Sequence, residues 1–186
     1  GLRTALAMGA EKAVLVSDPA LAGADALTTA KVLAGAVGKA GDYDLIIAGT
    51  ESSDGYTGTV PEQMAEVLGL PSVGFAKTIA VDGSTVKVDR QTEAGYDEVS
   101  CSLPAVVSVT AGVVEPRYPS FKGIMAAKSK PVETVTAADL GVESVSWAQS
   151  ISSVEDAPAR EAGEIIEDDG ETFNKIVDFL DKLKVI

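Results

Sequence analysis

Tyr43-Asp44-Leu45-Ile46-Ile47-Ala48-Gly49, followed by Thr50-Glu51-Ser52-Ser53-Asp54-Gly55-Tyr56-Thr57-Gly58-Thr59-Val60 and then Pro61, is the stretch on which the fold turns. The first seven residues read as a buried strand, because an apolar run this short fits a strand better than a helix. Thr50 to Thr59 is polar and glycine-rich, and Pro61 suits the first turn of a helix. Met64, Ala65, Val67 and Leu68 give that helix an apolar face, which ends at Gly69. Upstream, Asp25 to Val37 places Leu27, Ala30, Leu33, Ala34 and Val37 on one helical face. Before it, Lys12 to Ser17 is a short strand stopped by Asp18-Pro19, and Leu2 to Met8 is a helix stopped near Gly9. The order helix, strand, helix, strand, loop, helix implies a parallel sheet covered by helices. Its opening helix and strand are the second half of a βαβ unit, so the first strand is expected upstream of Gly1. The other reading is a protein that simply begins with a helix.

After Leu70-Pro71 the texture changes. Val73 to Val81 and Thr85 to Gln91 are strand-like around the turn residues Asp82-Gly83-Ser84, and Tyr96 to Ser102 is a third candidate. This antiparallel excursion interrupts the parallel sheet, and Ala105 to Val109 is expected to return to it. Glu115 to Pro131 reads as a loop with a short helix around Ile124 to Lys128. From Val142 the chain is acidic and poor in pattern until a final helix, Glu171 to Leu183. Phe173, Ile176, Val177, Leu180 and Leu183 form one stripe on that helix, as on an arm that packs against something else. Residues 1–141 are therefore expected to form one α/β domain and 142–186 an arm.

The 186 residues carry 15 Lys+Arg against 28 Asp+Glu, a net charge of −13, with one Cys and no His. Without His, triads and zinc sites that need imidazole are excluded from this chain. One thiol makes no internal disulfide. The negative charge speaks against nucleic acid and anionic membranes as partners. No apolar run approaches the ~20 residues of a membrane span.

Two segments carry candidate chemistry. The loop from Thr50 to Val60 sits where open parallel sheets bind ligands, outside the carboxyl end of a strand and before a helix N-terminus. Gly55 and Gly58 let backbone approach a ligand, and Thr57 and Thr59 add hydroxyls. The loop has no Lys or Arg and carries Glu51 and Asp54, so it suits a mono- or pyrophosphate better than a triphosphate. It matches neither a Walker A motif nor GxGxxG, and an ordinary capped strand–helix loop accounts for it equally well. The second segment, Arg117 to Lys130, has four basic residues (Arg117, Lys122, Lys128, Lys130) and no acid in an otherwise acidic chain. It reads either as a solvated basic helix end or as a docking loop anchored by Phe121, with Tyr118, Ile124 and Met125 around it. Glu93, Asp97 and Glu98 surround a glycine turn and suggest solvated acids rather than acid/base machinery. Arg90, on a strand among apolar neighbours, suggests a fixed ion pair and a place at a subunit interface.

The run Arg90-x-x-Glu93-x-Gly95-x-Asp97, then Leu103-Pro104-Ala105-Val106, Glu115-Pro116-Arg117-Tyr118 and Ile124-Met125-x-Ala127-Lys128 resembles the electron transfer flavoprotein β subunit. Gly49 with Asp54-Gly55-x-Thr57-Gly58-x-Val60, the opening Leu6-Ala7-Met8-Gly9-Ala10, and Ser153-Val154-Glu155-Asp156 before the last helix extend the resemblance over nearly the whole chain. It implies an adenine-nucleotide α-hydrolase-like fold with a hairpin insertion and a C-terminal arm. It also implies a heterodimer with an electron transfer flavoprotein α subunit that carries most of the FAD. Electrons would come from acyl-CoA and other dehydrogenases, as in fatty acid oxidation, and pass to a membrane-bound oxidoreductase. The loop Gly49 to Val60 would hold a structural AMP, and 109–131 would be the recognition loop, with Phe121 as the apolar anchor. The setting implied is the bacterial cytoplasm or a mitochondrial matrix.

Several positions depart from the family pattern. Ala94 stands for a usual Gly, Asp97 for a usual Glu, Tyr56 for a frequent Asp and Phe121 for a usual Leu. The family's N-terminal portion is missing from this sequence, and that portion supplies the rest of the AMP site. Two alternatives remain: a bifurcating-type subunit with a second FAD in the nucleotide site, and a stand-alone adenine-nucleotide-binding stress-type protein. The hairpin and the basic loop speak against the latter. No side chain is expected to be catalytic, because electron transfer needs a cofactor and proximity rather than an acid/base pair.

Overall fold

The computed structural model describes residues 1–142, 149–160, 163, 165–167 and 169–186. They form two compact units, Gly1–Ile151 and Ser152–Ile186. In the first unit the helices are α1 (Leu2–Ala7), α2 (Ala26–Ala40), α3 (Val60–Leu68) and α4 (Phe121–Ala127). The strands are β1 (Ala13–Val16), β2 (Leu45–Gly49), β3 (Ser72–Asp82), β4 (Thr85–Thr92), β5 (Gly95–Ser102), β6 (Ala105–Val109) and β7 (Val132–Val135). Asp25 caps α2 by accepting a hydrogen bond from the Thr28 N–H at 2.8 Å. Gly69 ends α3 in the left-handed conformation, φ 67°.

The architecture is α/β, as expected. Five strands form one sheet in the order β2-β6-β3-β4-β5. Strand β6 returns between β2 and β3 and is parallel to both. Its residues are buried on both faces: Ala105 and Val107 join Val73, Ala76, Val86 and Val88, whereas Val106 joins Ala30, Ala34, Met64 and Ala65 under α2 and α3. This is the period-two alternation of a central strand. Each fully buried Val there contributes on the order of 1.5–3 kcal/mol.

The structure departs from the sequence reading in the place of β1. Strand β1 does not join the main sheet; it pairs in parallel with β7, from Ala13↔Val132 to Val16↔Val135. Residues 132–135 are too short a run, with Glu133 and Thr134 exposed, to announce a strand by pattern. Strand β2 is consequently an edge of its sheet, and its Ile47 is 60% exposed. The antiparallel excursion, β3 to β5, interrupts the parallel strands as expected and lies in the same sheet. The first residues of β3 pair with β6 and the rest, from Ala76 to Asp82, with β4. The change of partner falls at a bulge, where Phe75 takes φ 59° and its N–H donates to Oγ of the buried Ser108 at 3.0 Å.

In the second unit, α5 (Thr172–Lys182) is the expected terminal helix. Phe173, Ile176, Val177 and Leu183 of its stripe are exposed. The start of α5 is tied by the Thr172 hydroxyl, which donates to the Glu167 carbonyl at 2.8 Å. Part of the acidic stretch expected after Val142 lies outside the described residues. No helix among the described residues is long and apolar enough to cross a membrane.

Candidate nucleotide site and docking loop

The Gly49–Val60 loop leaves the carboxyl end of β2 and borders a cleft of about 270 Å³. Leu33 of α2 and Val60 and Met64 of α3 give it apolar walls, while Thr29, Glu51, Ser52 and Thr57 give it polar atoms. Gly49 and Gly58, with Ala48 and Pro61, complete the lining. Gly58 has φ 63°, a conformation that a side chain would strain. Thr50 serves the scaffold instead: its hydroxyl donates to the Val109 carbonyl at 2.9 Å and ties the loop to β6. A second cleft of about 560 Å³ begins where the first ends, sharing Thr29 and Thr57 with it and adding Asp54, Gly55 and the start of α2. Ser53 and the exposed Tyr56, at φ 48°, line neither cleft.

Among the described residues, no Lys or Arg lines either cleft. The Asp54 carboxyl is held below the usual carboxylate range, first by the Ser52 hydroxyl and then by the Gly55 N–H. Thr59 is the N-cap residue of α3 but makes no side-chain cap bond. Among the described residues, no group of three or more His, Cys, Asp or Glu could hold a metal ion. Apolar walls beside a glycine-bearing loop fit a planar base with a lightly charged phosphate.

Thr59 instead faces a third cleft, of about 780 Å³, on the opposite flank of α3's first turn, together with Glu62, Gln63, Phe75 and Arg90. Glu62 Oε2 and Gln63 Oε1 are buried there without a hydrogen-bond partner among the described residues. Arg90 forms its ion pair within the hairpin, Nη2 to Asp97 Oδ2 at 3.1 Å, with both side chains about half exposed. The pair is cross-strand, because Arg90 and Asp97 stand opposite each other in the β4–β5 ladder.

Phe121, Ile124 and Met125 lie on α4 and Tyr118 just before it, with Tyr118 94% and Phe121 80% exposed. Ser120 caps α4, its Oγ accepting from the Gly123 N–H at 3.0 Å, so the helix starts three residues before the expected Ile124. Arg117 is used within the fold. Its Nη2 donates to the Met8 carbonyl at 3.2 Å, at the carboxyl end of α1. Lys130 donates to the Leu6 carbonyl at 2.9 Å and the Ala10 carbonyl at 2.6 Å. Half of the basic residues in the loop therefore serve as a C-terminal cap for α1.

The sequence reading missed the helix side of the first cleft. Thr29, Leu33 and Met64 line it, yet the spacing of Leu33 and Met64 reads simply as core and Thr29 lies off that apolar face. Only the partial exposure of Leu33, 39%, distinguishes it, and that is a property of the fold.

Residues 1–140 match the family model described as "Electron transfer flavoprotein domain". The chain is 44% identical over 190 residues to electron transfer flavoprotein subunit beta of Mycobacterium tuberculosis (strain ATCC 25618 / H37Rv), covering all of this chain and 71% of the relative. The corresponding subunit of Mycobacterium leprae is 45% identical over the same shares of each chain. The "Caffeyl-CoA reductase-Etf complex subunit CarD" of Acetobacterium woodii is 34% identical over 98% of this chain and 71% of its own length. With the family model spanning the α/β unit and these identities spanning the arm as well, the chain belongs to the electron transfer flavoprotein β-subunit family, whose members are electron-carrier subunits rather than enzymes.

Proposed function

We propose that this chain is the β subunit of an electron transfer flavoprotein that holds AMP in the cleft beside Gly49–Val60, pairs with an FAD-carrying α subunit, and docks acyl-CoA and related dehydrogenases through the loop 109–131. The observation that carries the nucleotide reading is the cleft's chemistry. Leu33, Val60 and Met64 offer an apolar slot for adenine, and Ser52, Thr57 and the backbone around Gly58 offer hydrogen bonds to ribose and a phosphate. The carboxylates of Glu51 and Asp54, with no basic lining, favour a single phosphate over a chain of them. FAD supplies the electron chemistry when bound. The residues of this chain position, cover and present it, and none acts as an acid or base.

The docking reading is supported by Phe121, a large apolar side chain held almost fully in solvent at the start of a capped helix. The Acetobacterium relative, named for a caffeyl-CoA reductase complex, supports an enzyme of CoA thioesters as the kind of partner. In this reading residues 142–186 form the arm that packs on the α subunit through the stripe of α5, and Arg90 orders the hairpin at the subunit boundary. Electrons leave for a membrane-bound oxidoreductase, and the bacterial relatives support a cytoplasmic setting.

A second reading places another FAD in the nucleotide site. It is favoured by the two clefts that share Thr29 and Thr57, which together offer room beyond a mononucleotide. The test is Gly58→Val in the heterodimer. It is expected to lose the extracted adenine nucleotide while the α-bound flavin stays. Unchanged nucleotide content would remove the assignment, and loss of half the flavin would favour the second reading. Phe121→Ala should slow reduction by an acyl-CoA dehydrogenase about tenfold or more with full flavin content, as expected for a hot-spot anchor. Unchanged kinetics would remove the anchor.

A further inference from the structure

We propose that the cleft between α1 and α4 is the receiving half of the docking surface, taking a protruding apolar side chain from a partner dehydrogenase whose carboxylates surround it and meet Lys122 and Lys128. The inference rests on the docking reading of Phe121 and gives the partner's face its chemistry.

The cleft has a volume of about 560 Å³ and is lined by Arg3, Thr4, Ala7, Pro119, Ile124 and Lys128, among others. It exists because α4 meets α1 in near backbone contact at Gly123, where a Cβ would overlap the Ala7 carbonyl oxygen. Its lining is mostly apolar, with Arg3 and Lys128 among the residues that border it. Phe121, Ile124 and Lys128 follow one another at spacings of three and four along α4, so the exposed anchor, the cleft wall and a cation share one helical face.

The positive charges of this corner fall into two groups. Arg117 and Lys130 are held by carbonyls at the end of α1, and Arg3 is held by the Ala127 carbonyl at 2.6 Å and the Lys130 carbonyl at 2.8 Å. Those three fasten α1 to α4. The side chains of Lys122 and Lys128 make no hydrogen bond or ion pair among the described residues. On a chain of net charge −13 they are a local inversion of sign that the fold itself does not use. A partner face carrying acids around an apolar side chain complements both features. Like charge elsewhere on the chain would repel that face from any other approach.

The test uses the heterodimer and a purified acyl-CoA dehydrogenase with its acyl-CoA substrate, following flavin reduction over a range of ionic strength. Ala7→Phe, which fills the cleft, should raise the KM for the heterodimer about tenfold with kcat and flavin content kept, the size expected for a central interface contact. The pair Lys122→Glu and Lys128→Glu should slow reduction about tenfold at low ionic strength. That difference should close by about 0.5 M salt, where the Debye length is under ~5 Å. Lys87→Glu, the same substitution at a single lysine of β4, where Lys87 pairs with Asp82, is the control for each of the two and should match wild type. The inference is overturned, with the anchor intact, if Ala7→Phe and the lysine pair match the control while Phe121→Ala remains slow. If Phe121→Ala also matches wild type, the docking reading falls and the inference with it. Binding to phosphatidylserine vesicles that Lys128→Glu abolishes, with dehydrogenase kinetics unchanged, would overturn it in favour of a membrane.

Discussion

Gly123 decides whether α1 and α4 can close on each other. In an ordinary helix, Gly→Ala stabilises by about 0.4–1 kcal/mol, because it restricts the unfolded chain. Gly38 of α2 has nothing within 4 Å of a built Cβ and should behave that way. At Gly123 the added methyl meets the backbone carbonyl of Ala7, which cannot swing aside as a side-chain tip could. Gly123→Ala should therefore destabilise by about 1–3 kcal/mol. Thermal unfolding of the two variants checks the pair, with Tm raised for Gly38→Ala and lowered for Gly123→Ala. A rise in both would mean that the corner is loosely packed. Nothing in the sequence distinguishes these two glycines, since the difference lies in a carbonyl more than a hundred residues away. Arg117 and Lys130 show the same limit from the other side. Composition marks them as part of an exposed basic loop, whereas the carbonyls that hold them belong to α1 and the residues just after it.

Asp54 also belongs to this scale. Its folded carboxyl lies below its ordinary value, because the Ser52 hydroxyl and the Gly55 N–H donate to the ionised form. A lowered carboxylate contributes order above its unfolded pKa, about 3.9, and loses that contribution as pH falls through the lower folded value. Hydrogen exchange at Gly55 should thus be insensitive to pH from neutrality to about 5 and lose protection below about pH 4, after correction for the intrinsic rate. Asp54→Asn should shrink that acid-dependent step. Persistence of the full step in this variant would assign it to another group.

Among elements, the parallel core was legible because its signals are local. The apolar run Leu45–Gly49, the spacing of α2 and the Pro61 start of α3 all sit within windows of a dozen residues. Pairing is not local in this sense. Strand β7 is four residues whose only reason to be a strand is β1, more than a hundred residues earlier. The double role of β3 likewise depends on the bulge at Gly74–Phe75, which no pattern of alternation announces. The terminal helix is the opposite case, since its stripe is plain in the sequence and stands exposed in the fold. Phe173, Ile176 and Val177 are exposed in α5, so the helix needs a partner surface. Limited proteolysis should cut 152–186 rapidly when the chain is alone and slowly in the heterodimer. Equal cleavage rates would contradict packing of the arm on the α subunit.

For the whole molecule, the charge of −13 and the lack of His first act as exclusions, and the fold then gives them meaning. An electron-carrier subunit has no need of imidazole acid/base chemistry, and an acidic chain with two uncommitted lysines beside Phe121 has one face suited to an acidic partner. The strand–loop–helix unit at Gly49–Val60 was legible in the sequence, but the walls of the cleft beside it come from α2 and α3 and became visible only in the fold. The account as a whole stands on that cleft holding an adenine nucleotide in a two-chain assembly. Native mass spectrometry of the chain produced together with its α subunit measures both at once. The account predicts one heterodimer carrying one FAD and one AMP; a heterodimer with flavin alone, or a chain recovered without an α subunit, would contradict it.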